Sequence, residues 1–192
     1  MSKNDCTNFP PSALRVVNPD GGIGDLWPVI PREGVYREIL EEVFLQHWNS
    51  VVSGPIIQGS AFEWRFRQAP RVGYLDGYLT VSEDGEHSPH FHVCVGEHHG
   101  TSYHPVSPEL ALWRKTSRAE FFRDSDSKCM AGSWGLRYFN GKDEQQLTVF
   151  FPNPHLDPIT MKHRQPDWSA LNLWHDMRNR FADVAADALP NK

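Results

Sequence analysis

Cysteine is scarce in this chain. Cys6, Cys94 and Cys129 are the three present among 192 residues, an odd number at spacings that fit neither a zinc ribbon nor a disulfide framework. A disulfide scaffold is thereby excluded, and a reducing cytoplasm is the compartment expected. Long apolar runs are missing as well: none approaches the roughly 20 residues that a membrane helix requires. The start, MSKNDCTNFPP, lacks the basic-then-apolar order of a signal peptide, so a soluble protein without a membrane partner is expected. Nor is there a basic excess. With 19 Lys and Arg against 24 Asp and Glu the net charge is -5, whereas a dedicated nucleic-acid binder gathers positive charge on one face. A Cys-x-x-Cys-His motif is absent, which excludes covalent haem attachment.

What the chain does have is aromatic mass. Seven Trp and eleven Phe stand within 39% apolar residues, enough to build a core although the mean hydropathy is -0.54. Residues 1–31 are dense in Pro and Gly (NFPPS, NPDGGIGD, WPVIP) and read as an irregular arm, with GGIGD a plain turn. A single domain over 32–189 follows. Tyr36, Ile39, Leu40, Val43, Phe44, His47 and Trp48 recur at helical spacing. Three strand-like runs come next, at 61–67, 72–81 and 90–96. Ser107, Pro108 and Glu109 then form a helix start, with a capping hydroxyl and Pro at the first helical position, and that helix is predicted to reach Arg123. Runs at 132–140 and 145–151 flank the turn signal NGKDE, and Asp167 caps a last helix carrying Leu171, Trp174, Met177, Phe181 and Val184 on one stripe. The order α-β-β-β-α-β-β-α predicts an α+β fold, a two-layer sandwich of a five-stranded, mostly antiparallel sheet with helices on one face.

Because strand residues alternate between faces, each run divides into two sets. One set is a core: Phe62, Trp64 and Phe66; Leu75, Leu79 and Val81; Phe91, Val93 and Val95; Trp134, Leu136 and Tyr138; Leu147, Val149 and Phe151. The other set is polar: Glu63, Arg65 and Arg67; Tyr74, Asp76 and Tyr78; His90, His92 and Cys94; Ser133, Gly135 and Arg137; Gln146 and Thr148. If helices cover the first face, the second meets water, a ligand or a partner.

Residues 87–104, HSPHFHVCVGEHHGTSYH, hold six of the ten histidines. His90 and His92 lie two apart on one strand, so their imidazoles face the same way and can converge on one cation. Cys94 cannot join His90, since positions four apart are roughly 13 Å apart along a strand. The combined reach of the two side chains, about 6 Å and about 4 Å including the metal bonds, falls short of that. A third ligand is expected from Glu97, His98, His99 or His104 on the following loop, or from Asp76 or Glu63 on neighbouring strands. Two histidines and a carboxylate suit non-haem iron or catalytic zinc.

His90, His92 and Glu97 also satisfy one spacing of the cupin signature. The glycine before the pair, Gly85, sits one residue too near, and the 132–151 hairpin carries no second motif, so no family is assigned on it. The reading that follows is a metal-dependent enzyme of oxygenase or hydrolase type, using one divalent transition metal, iron or zinc. Arg137, Arg65 and Tyr78 would be its catalytic residues, the arginines orienting an anionic group of a small-molecule substrate.

Two other readings stand beside it. Tyr74, Tyr78 and the Trp-rich strands can frame a flat aromatic ligand, non-covalent haem with His92 or His104 as the axial ligand. The order of elements is also similar to that of type III secretion chaperones, which implies a homodimeric, non-enzymatic binding module. Arg114, Arg118 and Arg123 on the predicted second helix could hold an anion, while FFPNPHLDP (150–158) is a Pro-punctuated loop able to fold over the polar face.

Overall fold

The computed structural model describes residues 13–17, 23–57, 59–85, 88–124 and 132–182. In chain order the elements are β1 (Leu14–Val17), β2 (Ile23–Pro28), α1 (Val35–Gln46), β3 (Val52–Gly54), β4 (Ile56–Ile57) and β5 (Ser60–Ala61). They continue with β6 (Arg71–Leu75), β7 (Tyr78–Ser82), β8 (His90–Cys94), α2 (Pro108–Arg114), β9 (Thr116–Asp124), β10 (Ser133–Asn140) and β11 (Gln145–Phe150). A 3-10 turn (Trp168–Leu171) leads into α3 (Asn172–Phe181). Every described ladder is antiparallel. The strands form a six-stranded sheet ordered β1-β2-β9-β10-β11-β3, a three-stranded sheet β6-β7-β8 and the pair β4-β5. An α+β sandwich is the result, with more strands than the five expected.

Helices α1 and α3 lie against one face of the large sheet. Val35, Ile39, Leu40, Val43 and Phe44 of α1 and Trp174, Met177 and Phe181 of α3 share one core with Phe121, Leu136, Tyr138, Leu147 and Val149. Trp174 meets Trp27 edge-on at 5.2 Å, a contact worth about 0.5–1.5 kcal/mol beyond its buried area. Its indole N–H donates to the Gly135 carbonyl at 3.1 Å, which fixes α3 across the centre of the sheet. Phe44 reaches the other way to Phe66 and Phe91, so α1 also packs on the small sheet.

Three expectations are corrected by this arrangement. First, the arm is not irregular throughout: Ile23–Pro28 is a strand paired with β9, and Trp27 is fully buried. Second, the helix begun at Ser107, whose hydroxyl accepts from the Leu110 amide, ends at Arg114. The following TSRAEFFRD is instead the nine-residue strand between β2 and β10, with Ala119 and Phe121 in the core. Arg114, Arg118 and Arg123 therefore share no helix. Third, 72–81 is a hairpin and not one strand. Asp76 and Gly77 adopt φ 46 and φ 81, the two positive values of a tight two-residue hairpin turn. Gly77 is required there twice over, because an added Cβ would lie 2.4 Å from the Glu97 carbonyl oxygen.

The turn changes the face of one residue pair. Tyr74 pairs with Leu79 and so takes the core side, while Leu75 pairs with Tyr78 and is 82% exposed. The run at 61–67 is likewise no full strand: past Ala61 only the bridge Ser53 to Trp64 ties it to the sheet. Cys6, Cys129, His87 and Val184 lie outside the described residues.

Candidate functional site

The outer face of β6–β8 carries His90, His92, Thr80, Ser82, Arg71 and Tyr78. The His90 and His92 rings are neighbours, 5.0 Å apart and edge-to-face, as their spacing implies. Each also has a partner: His92 Nδ1 lies 2.7 Å from Thr80 Oγ1, and His90 Nδ1 lies 3.3 Å from the Ser88 carbonyl. The expected third ligands go elsewhere. The Asp76 carboxylate accepts from the His98 ring at 2.8 Å and from the His99 and Gly100 amides at 2.8 and 2.9 Å. Those amides and the His98 proton hold its carboxyl below the usual range. Glu97 is ion-paired with Lys115, whose hydrogen bond and charge lower its pKa. The His104 amide donates to Thr101 Oγ1, where it helps close the loop. Among the described residues, no group of three or more His, Cys, Asp or Glu is placed to hold a metal ion.

His98 illustrates what these contacts do. Arg114 lies 3.3 Å from His98 Nε2, and a guanidinium can only donate. Nε2 is therefore the acceptor, and Nδ1 carries the proton given to Asp76. Held on both ring nitrogens, the imidazole braces the loop. Tyr78 packs edge-on against it at 4.9 Å, and burial pushes the phenol pKa up. Cys94 is 2% exposed, and burial raises its thiol pKa too, which disfavours the thiolate.

The polar residues expected to share one face belong to two sheets. Arg137, on β10 of the six-stranded sheet, donates to Glu120 at 2.8 Å and lies over the Phe122 ring. Arg118 donates to Glu120 and Asp143, and Arg123 pairs with buried Asp25. Neither Arg137 nor Arg65 stands on the histidine face.

Arg65 lies instead on the wall of a cavity of about 790 Å³ at one end of the six-stranded sheet. Phe150, Phe151 and Trp134 supply the sheet side of that wall, and Arg65 and Glu63 come from the segment after β5. Met161, Arg164 and Asp167 come from the loop after β11. That loop is held by its own bonds. The Asp157 carboxylate accepts from the Ile159 and Thr160 amides and the Thr160 hydroxyl, which keeps its pKa low. Asn153 ties the loop to the Gly132 carbonyl at 2.8 Å, and a bridge joins Leu156 to His163. His155 lies against the Trp134 ring at an interplanar angle of 25°.

Two details mark this wall. Met161 is held at φ 56, a conformation that costs a residue other than glycine about 1–3 kcal/mol, and its Sδ accepts from Arg65 at 3.3 Å. The Trp134 indole N–H, on a residue 5% exposed, has no hydrogen-bond partner among the described residues. The volume falls within the roughly 300–1,000 Å³ of small-molecule sites. Arg65 and Arg164 share this lining with Trp134, Phe150 and Phe151 and with the carboxylates of Glu63 and Asp167, the latter 3.4 Å from Arg164. Met161 and Arg164 carried no sequence signal beyond the Pro-rich punctuation of the 150–158 loop.

The chain is thus a small α+β domain with a concave hollow at one end of its large sheet. The chain belongs to the Family of unknown function (DUF7676), whose profile matches residues 13–183. No curated protein matches the sequence. Among solved structures it is similar to "Crystal structure of ChuX", at 14% identity and a TM-score of 0.48 over 82% of this chain and 76% of that one. It is also similar to "Structure of the Heme Binding Protein ChuX", at 16% identity and a TM-score of 0.47 over 79% and 75%. Likeness of this degree carries no functional inference. No helix of the described residues is long and apolar enough to cross a membrane.

Proposed function

We propose that this protein is a non-covalent binding module for a flat, largely apolar molecule with anionic groups, held in the 790 Å³ cavity. The observation that carries the reading is the pairing of Arg65 and Arg164 with the Trp134, Phe150 and Phe151 wall of that cavity. Carboxylates on a ligand's edge would take charge-assisted hydrogen bonds from the two guanidinium groups, at about 1.5–3 kcal/mol each. Its apolar body would cover the rings, and the unpartnered Trp134 N–H is a further donor nearby.

Haem, which the description of one similar structure names for that protein, has this shape and charge, and the residues present fit it. Arg65 and Arg164 would hold its propionates, and Met161, once released from Arg65, would offer a soft thioether to its iron. When bound, haem would supply its iron for ligand or electron exchange. The chain's part is to hold and orient the ring, to exclude water with the Phe150 and Phe151 side, and to fix the loop that presents Met161. The axial ligands expected from the sequence, His92 and His104, are not among the residues lining this cavity.

Haemin titrated into protein made without a histidine tag tests the proposal. A saturable 1:1 change of the Soret band is expected, weakened in Arg65→Ala and shifted in position in Met161→Ala. Absence of saturation, or a 1:1 complex indifferent to all three side chains Arg65, Arg164 and Met161, would sink it.

A further inference from the structure

We propose that the second cavity, about 260 Å³ at the start of β8, is a separate binding site for a small aromatic molecule carrying one hydrogen-bond donor, a phenol or an indole. Phe62, Trp64, Phe66 and Phe91 line it, with Ser53 behind them and His90 among the lining residues. The Phe62 and Trp64 rings are nearly parallel, 10° apart at 6.1 Å. Phe66 stands across from Trp64 at 71°, and Phe44 of α1 holds both Phe66 and Phe91 from the core. Phe66 and Phe91 are braced by the core while Phe62, 57% exposed, stacks on Trp64, so a planar guest meets an aromatic wall that is in place on the core side.

The polar requirement comes from His90. A backbone carbonyl can only accept, so the contact from His90 Nδ1 to the Ser88 carbonyl, 3.3 Å, places the proton on Nδ1. Nε2 is then the ring's acceptor, and a ligand satisfies it by donating an N–H or O–H. Two further polar atoms stand in the same lining without partners among the described residues: Ser53 Oγ and Trp64 Nε1. The mutual backbone bonds of the Ser53–Trp64 bridge, 2.9 and 2.7 Å, put these two side chains on one side of the pairing. Ser53 is 1% exposed, and a buried hydroxyl without a partner costs about 1–3 kcal/mol, a penalty that a polar substituent on the guest can relieve. The site gives His90 a role that needs neither a metal nor the larger cavity, so its failure and that of the haem reading are separable.

The experiment uses indole and 1-methylindole, which differ by the one donor, followed through backbone amide shifts of the whole protein. Saturable indole shifts centred on Ser53, Trp64, Phe66, His90 and Phe91 are expected. Indole should bind about three- to tenfold more tightly than 1-methylindole, the range of one net hydrogen bond. In His90→Ala the preference should disappear, and His90→Gln, which keeps an acceptor, should restore part of it. His90 is exposed, and an otherwise unaltered spectrum verifies that the variants fold. Three results overturn the proposal: no saturable shift, shifts centred on Trp134 and 152–168, or equal affinity for the two compounds in the parent protein.

Discussion

On the outer face of β6–β8, titratable groups are dense and nearly every one is engaged by the chain itself: Asp76 by His98 and two amides, Glu97 by Lys115, His92 by Thr80. The 790 Å³ cavity is lined by four such groups, Glu63, Arg65, Arg164 and Asp167, together with Trp134, whose buried indole N–H has no partner among the described residues, and Met161, held in a left-handed backbone conformation. The contrast separates two meanings of a polar cluster. Polar atoms that satisfy one another brace a loop and have little left for a ligand. The two arginines of the larger cavity have weaker partners, a thioether for Arg65 and Asp167 at 3.4 Å for Arg164, which a guest can displace.

The sharpest way to break this comparison is to strip each region in turn and measure haem affinity. Arg65→Ala combined with Arg164→Ala should lower it by more than about 100-fold, since two charge-assisted hydrogen bonds are lost. His90→Ala with His92→Ala should change it less than about twofold. The reverse ranking in a Soret titration would move the site to the histidine face.

Next in size is Gly77→Ala. A positive φ costs a residue other than glycine about 1–3 kcal/mol, and the Glu97 carbonyl would have to move away from the new Cβ. A denaturation midpoint should fall accordingly. Gly73→Ala, on the same hairpin with nothing within 4 Å of its Cβ, should stay within about 0.5 kcal/mol of the parent.

A smaller effect is expected from pH. The folded-state pKa of Asp76 lies below the usual 3.8, so the unfolded chain takes up the proton first. The stability tied to this carboxylate is complete above about pH 4 and is lost as pH falls through the lower folded value. Asp76→Asn should remove that part of the acid dependence and speed hydrogen exchange at the His99 and Gly100 amides; an unchanged acid limb would detach the loop from the carboxylate. Smallest of all, His90→Ala with His92→Ala should shift the unfolding midpoint by no more than about 0.5 kcal/mol, because both side chains are exposed. A larger loss would show that the pair holds the sheet together.

Much of the scaffold is readable from local pattern. The stripes of α1 and α3, the cap at Ser107, the NGKDE hairpin and the buried set on β10 and β11 all follow from spacing and turn chemistry. Two misses had local signals: the Asp-Gly pair at 76–77 marks a hairpin turn, and the alternation of Arg118 and Glu120 with Ala119 and Phe121 marks a strand. Of the site, the sequence singled out Arg65 but assigned it to the histidine face, because alternation tells which residues share a side of one strand and says nothing of which strands share a sheet.

By itself, then, the sequence determined the α+β class, the core-facing residues of most strands, the neighbouring rings of His90 and His92 and the separation of Cys94 from His90. Each of these depends on residues close along the chain, where backbone geometry fixes the spacing. Only the tertiary structure decided that 116–124 is a central strand, that the polar residues divide between two sheets, and that Arg65, Trp134, Met161 and Arg164 surround one cavity. Those relations join segments as far apart as residues 65 and 164, and they are set by which apolar surfaces bury one another.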